Sequence, residues 1–337
     1  MVSKLDLEVI DDKKMFEVYD KWPEIAKQSY NSDLHPIDFE KINHIVFAGM
    51  GGSGAIGDIF SSILSKSKIH VNVVKGYLLP HTTNSDSLIV TTSISGNTKE
   101  TLEILRASKE LGCKIIAFSD GGLMKDFCEK NSIEHRQIKM HHSPRASFTV
   151  FLYSMLNVLR NSLSIKNEDI EESLIKLKEI QIKISSKNLS KSNPSLMLAE
   201  WITEIPLIYF PYGLQSAAIR FKNSLQENSK IHVIVEDIVE SCHNGIVAWE
   251  KKSSIRPIFI KGVNDHIKSK EKFNILAKYF DQNKIEYKEI NSLEGSILTK
   301  IICLIYLLDY STIYKAIIDK TDPSPVNSID FVKKKMK

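Results

Sequence analysis

Cysteine is scarce in this chain and scattered. Its four cysteines, at 113, 128, 242 and 303, include no C-x-x-C pair. That spacing argues against a zinc cluster and a disulfide framework, and it fits a reducing compartment. Long apolar runs are missing too. The longest, Ile301–Leu308, is bracketed by Lys300 and Asp309. It falls far short of the roughly 20 residues that span a bilayer, so a buried helix is expected there. The segment Met1–Lys14 is charged and has no apolar core. It therefore reads as no signal peptide, and a cytoplasmic protein with no membrane contact is expected. Charge of one sign is also lacking: 45 basic residues face 41 acidic ones, a net charge of +4. The basic residues are spread out except at Lys333-Lys334-Lys335-Met336-Lys337, so there is no nucleic-acid footprint. No carboxylate or cysteine is spaced to join His141-His142 in a metal site. Those histidines are read as a surface pair, and neither a metal nor another cofactor is expected.

What the chain does have is length and apolar content for two domains: 337 residues, 42% of them hydrophobic. An amphipathic helix is predicted over 13–30. Strands are predicted at 44–48, 70–74, 87–92, 114–118 and 133–138, with helices at 54–65, 98–111, 122–131 and 146–162. Gly112 is placed to end the second of these helices. A helix at 168–184 and a solvated linker at 185–192 follow, and Asn193-Pro194 opens a new helix as cap and first helical residue. Alternation then restarts, with strands at 206–210, 230–235, 255–260 and 285–290 and helices at 215–228, 243–251, 270–282 and 293–318. The expected class is α/β, with two doubly wound parallel-sheet domains over 1–162 and 195–337 joined by a helix and linker over 163–194.

Two polar turns stand out. Gly49-Met50-Gly51-Gly52-Ser53-Gly54 follows the β-branched run Ile45–Ala48, and Thr92-Ser93-Ile94-Ser95-Gly96-Asn97-Thr98 follows Leu88–Thr91. Gly51, Gly52 and Gly54 let backbone approach a ligand closely, and the helix that starts there offers free N–H groups to an anion. Gly49-x-Gly51-x-x-Gly54 also satisfies a dinucleotide fingerprint literally. That reading wants an acidic residue at the end of the next strand, where the chain has Val74-Lys75-Gly76 instead. Ser53, Ser93, Ser95 and Thr98 are hydroxyls suited to a phosphate monoester, with Asn97 a candidate helix cap. Two such turns side by side predict a cup for one phosphate.

Further along, Arg220, Asn223 and Glu227 lie at i, i+3 and i+7, which predicts one helix face. Such a face is also what an ordinary solvated helix looks like. His243 follows a predicted strand, where a histidine can serve chemistry or merely cap a helix. Arg145 stands just before a predicted helix, a position unfavourable to the dipole, which hints at another duty.

Taken together, these segments resemble the sugar isomerase domain superfamily. They are closest to the archaeal-type bifunctional phosphoglucose/phosphomannose isomerases, over nearly the whole chain. The specific part is Arg220-x-x-Asn223-x-x-x-Glu227-Asn228 with His243-Asn244. The resemblance implies two flavodoxin-like domains of the sugar isomerase type. It implies that Gly51, Gly52, Ser53, Ser93, Ser95 and Thr98 hold the phosphate, and that Glu227 carries a proton between C1 and C2. It further implies that Arg145, helped by the Gly52 N–H, stabilises the enediolate. By the same resemblance, His243 would open the sugar ring from the partner subunit of a homodimer, and a C-terminal lysine, best matched by Lys333 beside Lys334 and Lys335, would approach the ring oxygen. The implied reaction interconverts glucose 6-phosphate, and mannose 6-phosphate, with fructose 6-phosphate without a metal. The chain departs from the family pattern at Ile94, Val239, Cys242 and Gly245. Two other readings stand beside this one. A non-catalytic sugar-phosphate sensor, or an isomerase of another phosphosugar, would keep the two turns. The isomerase half of a glucosamine 6-phosphate synthase would follow a glutaminase domain, which is not seen here.

Overall fold

In a computed structural model of the protein, described over residues 2–336, the chain divides into two compact units. One comprises Lys21–Lys176 and Gly295–Thr299. The other comprises the segment up to Asp20, Leu177–Glu294 and the segment from Lys300 onward.

The first unit is built on five parallel strands: β1 (His44–Ala48), β2 (His70–Val74), β3 (Leu88–Thr92), β4 (Lys114–Ser119) and β5 (Glu134–Gln137). Their order is β2-β1-β3-β4-β5. β1 and β3 are buried along their whole length, which is why both read as apolar runs rather than alternating ones. Helices Gly52–Ile63, Lys99–Glu110, Gly122–Lys130 and Phe148–Leu159 connect and cover the strands. Gly112 stands just past the second of these with φ +68, the left-handed step that ends a helix. The strand order reverses between β1 and β3. Doubly wound sheets bind ligands outside the carboxyl ends of the strands at such a point.

The other unit carries β6 (Ile205–Phe210), β7 (Ile234–Asp237), β8 (Ile255–Lys261) and β9 (Lys288–Asn291), all parallel in the order β7-β6-β8-β9. An aromatic core of Tyr209, Trp249, Phe259, Phe273 and Phe280 packs on one face. Helix Ile297–Ile318 is long and apolar enough to cross a bilayer by length and composition, yet 89% of its apolar window is buried inside the protein. This agrees with the buried helix expected at Ile301–Leu308.

Several local expectations are corrected. The helix expected at 13–30 is two, Met15–Asp20 and Trp22–Tyr30, because Pro23 is tolerated only in a first turn. Before them lies helix Lys4–Ile10, begun by a Ser3–Asp6 capping box. The segment 185–192 is half exposed yet ordered by its own hydrogen bonds. Asn193 Nδ2 donates to the Ile184 and Asn188 carbonyls at 3.1 and 2.7 Å, folding the segment back while Asn193 Oδ1 caps helix Pro194–Trp201 as expected. β7 starts at Ile234, opposite Leu207, rather than at 230. Lys230, at φ +59, still belongs to the end of the preceding helical segment.

Candidate active site

The first phosphate turn forms as its sequence dictates. After β1, Gly51 takes φ +53 and helix Gly52–Ile63 begins with no acidic residue in its first turn. The N–H groups of Ser53 and Gly54 are spent on the Met50 carbonyl and that of Ala55 on Gly51. This leaves the tip N–H groups of Gly51 and Gly52 for an anion. Gly49 must be glycine for another reason. A Cβ there would come within 2.9 Å of the Thr92 carbonyl on the neighbouring strand, so the ends of β1 and β3 close on each other.

The second turn lies beside the first because Ala48 pairs with Thr91 in the β1–β3 register. Ser93 is buried, and its hydroxyl donates to Thr98 Oγ1 at 2.9 Å, drawing two of the expected phosphate donors together. Ser95 is exposed on the same turn. Gly96, at φ +72, lies so tightly on the Gly121 carbonyl that a Cβ would collide with it. Asn97 is not the helix cap. That position belongs to Thr98, and Asn97 instead accepts the Leu123 N–H at 3.1 Å while donating to the Ser95 carbonyl at 3.0 Å. With Met124 N donating to Gly96 O at 2.9 Å and Asp120 N to Ile94 O at 3.0 Å, the turn after β4 buttresses the phosphate turn. Sequence reading missed this support. Its signal is the pair Gly121-Gly122, both at positive φ. At the end of β2, where a dinucleotide site wants a carboxylate, Lys75 stands paired with Asp58 at 2.6 Å.

Arg145 belongs to the same unit and is buried. It does not begin the helix: Ser147 stands at the N-cap position of Phe148–Leu159, and the turn before it is closed by Ser147 Oγ, which bonds the carbonyls of His141 and Ser143 and accepts the His141 N–H. His142 is half-buried at φ +58, so the two histidines are not both on the surface. Among the described residues no three His, Cys, Asp or Glu side chains gather as metal ligands.

In the other unit the Arg220–Glu227 segment is not one regular helix. Helix Gln215–Ser224 passes into a π turn over Leu225–Ser229, so the regular helix expected over 215–228 ends at Ser224 and Glu227 lies in the π turn. Arg220 is buried against Asp309, with Nη2 and Nε at 2.7 and 3.0 Å from Oδ2. Burial opposes its charge, but the Asp309 carboxylate, with smaller help from Tyr19 and Glu227, holds its pKa above the ordinary value. Arg220 is therefore a structural cation. Asn228 Nδ2 bonds Thr312 Oγ1 and Ser229 Oγ bonds Thr312 O, both at 2.8 Å, pinning the π turn just past its half-buried carboxylate, Glu227. Asp309 was visible in the sequence only as a lone acid in an apolar stretch.

His243 is exposed in the short joint between helix Ile238–Ser241 and the 3-10 turn Gly245–Glu250, not in the single helix expected at 243–251. The break follows from two caps: Asp237 Oδ1 accepts from Val239 and Glu240 N–H groups, and Asn244 Oδ1 from Gly245 N. Lys333 lies exposed on helix Asn327–Lys335, which the sequence reading did not anticipate.

Comparison with known proteins covers both units. Residues 38–158 match the family model described as the SIS domain, and residues 191–336 match that of the bacterial phospho-glucose isomerase C-terminal SIS domain. A bifunctional phosphoglucose/phosphomannose isomerase of Caldicellulosiruptor bescii is 31% identical, over 96% of this chain and 98% of the relative. One of Aquifex aeolicus is 27% identical, over 94% of each. The crystal structure of a hypothetical protein from Thermus thermophilus shares the fold, with a TM-score of 0.71 at 11% identity over 97% of this chain and 88% of that one.

Proposed function

The chain belongs to the family of bifunctional phosphoglucose/phosphomannose isomerases, and from that premise we propose that it interconverts glucose 6-phosphate and mannose 6-phosphate with fructose 6-phosphate. It is an aldose–ketose isomerase of phosphorylated sugars. The observation that carries the reading is the pairing of turns 49–54 and 93–98 at the reversal point of one parallel sheet.

An aldose and a ketose 6-phosphate differ by one proton moved between neighbouring carbons and one between oxygens. The 6-phosphate is held by Ser53, Ser93, Ser95 and Thr98 and by the N–H groups of Gly51 and Gly52. These donors suit a dianion at a helix tip. His243, from the partner protomer of a homodimer, moves the proton that opens the cyclic sugar, a task suited to an imidazole, whose ring nitrogens can both donate and accept a proton. Lys333 attends the ring oxygen. Glu227 then takes the proton from C2, leaving an enediolate. Arg145 and the Gly52 N–H bear its charge, since a guanidinium stays cationic and is weakly hydrated. Glu227 returns the proton to C1 as the hydroxyl proton passes from O2 to O1, leaving the carbonyl at C2. Rotation about C2–C3 of the open chain presents the other face of C2 and admits the mannose epimer. Charged sugar phosphates are kept inside cells, so the cytoplasm is the compartment for this reaction.

The test is a coupled assay with purified protein, feeding fructose 6-phosphate and reading glucose 6-phosphate and mannose 6-phosphate. Turnover of both supports the reading. Tight sugar-phosphate binding without turnover would replace it with a sensor.

A further inference from the structure

The turn that carries His243 rests on a half-buried carboxyl, one oxygen of which is sealed off and unbonded. Glu236 lies on β7 in register with Tyr209 of β6. Its Oε2 is shut off from solvent and has no hydrogen-bond partner among the described residues. A Cβ placed on Gly245 would collide with that oxygen and come within 3.1 Å of the Glu236 Cδ. The carboxyl therefore lies flat on the bare Cα of Gly245, two residues past His243. The far end of the same segment is tied down independently: Trp249 Nε1 donates to Tyr209 Oη at 2.8 Å. Tyr209 and Glu236, neighbours on adjacent strands, together form the floor on which residues 243–249 lie.

An apolar side chain would fill this place without leaving a polar atom unsatisfied, so the fold gains nothing from the carboxyl as such. Groups that cost stability and persist do so where function uses them. Gly245 fits the same account, because only a residue without a side chain leaves room for the carboxyl.

We propose that Glu236 is a positioning residue for His243: packed on the Cα of Gly245, it fixes the turn His243-Asn244-Gly245 and so the direction in which the imidazole meets the sugar. This deepens the proposed reaction and rests on its assignment of His243.

The experiment compares Glu236→Ala, Glu236→Gln, Gly245→Ala and the double variant Glu236→Ala/Gly245→Ala, with His243→Ala as control. It measures kcat and KM for fructose 6-phosphate together with thermal melting. Misplacing an acid–base group by about an ångström predicts a fall in kcat of about 10- to 100-fold for Glu236→Ala. KM stays nearly constant and the melting temperature is unchanged or higher. Glu236→Gln, which keeps the shape, recovers most of the loss. Gly245→Ala pushes the carboxyl aside and mimics Glu236→Ala, but adds nothing in the double variant because its obstacle is gone. Wild-type kcat in Glu236→Ala beside an impaired His243→Ala overturns the proposal, as does full additivity in the double variant. An unimpaired His243→Ala is a different failure: it removes the role of His243 in the reaction, whatever Glu236 does.

Discussion

Arg220 and Asp309 meet at 2.7 Å with 3% and 0% of their side chains exposed, and Ser224 Oγ donates to the second carboxylate oxygen at 2.7 Å. Every strong acceptor of Asp309 thus serves the helix that leads into Glu227. A buried pair adds little net stability over an apolar pair of the same size, but breaking it strands a charge. Asp309→Ala is therefore expected to destabilise the unit by about 3–5 kcal/mol, read as a lowered urea midpoint. The double change Arg220→Met/Asp309→Leu is expected to recover most of that loss. A double variant as unstable as Asp309→Ala alone would mean that the polar network, not the stranded charge, sets the cost.

Ser95 offers a cleaner probe of the phosphate cup than Ser93, whose buried hydroxyl also holds Thr98. Ser95 is exposed, and its oxygen takes only a long 3.4 Å contact from the Asn97 N–H. Losing one hydrogen bond to a charged phosphate costs about 1.5–3 kcal/mol. Ser95→Ala is expected to raise KM for fructose 6-phosphate by about tenfold or more, leave kcat within about twofold, and weaken competition by inorganic phosphate in step. A change confined to kcat would take Ser95 out of the phosphate contact.

Glu227→Gln keeps the size of the side chain and removes its basicity. Substrate binding should stay near normal while turnover falls by on the order of 10²-fold or more, the usual cost of losing an acid–base group. Unchanged turnover would remove Glu227 from proton transfer. Chelation should leave the wild-type rate intact, and a rate abolished by EDTA and restored by a divalent cation would show that the reaction needs a metal.

How much of this was legible depended on whether the information was local. Gly49-x-Gly51-Gly52-Ser53 and Ser93-x-Ser95-Gly96 each announce a strand-to-helix turn because glycine placement and helix tips are short-range physics. Alternation put both turns on one edge, since a parallel sheet has the carboxyl ends of its strands on one side, but their adjacency comes from the long-range pairing of β1 with β3. The Glu227 segment was less legible. Spacing of i, i+3 and i+7 presumes 100° per residue, and the π turn over Leu225–Ser229 breaks that presumption. Its cause lies far along the chain, in Thr312 and Asp309, where nothing local points back to it. The short strand β7 was misplaced for a related reason. Half of Ile234-Val235-Glu236-Asp237 is acidic, and one oxygen of the half-buried Glu236 is covered where the Gly245 turn lies over it.

Acid should act on the first unit through Glu172. Its Oε2 accepts the Ser296 N–H at 2.8 Å and the Thr299 hydroxyl at 2.7 Å, so the carboxylate caps the start of helix Ile297–Ile318. Gly295, at φ +139, leaves that carboxylate room, for a Cβ there would stand 2.9 Å from it. These bonds, the Ser296 backbone bond foremost and the Thr299 hydroxyl next, hold the Glu172 carboxyl below its ordinary value of 4.5. A group whose folded pKa is depressed stabilises above its unfolded pKa and loses that contribution as pH falls through the folded value. Glu172→Gln is therefore expected to melt lower than wild type at neutral pH, and the gap should close below the ordinary carboxylate range as the wild-type side chain takes up its proton. Melting curves of both proteins from pH 7 down to about 3 check this. A gap that stays constant across that range would assign the effect to packing rather than to the ionised cap.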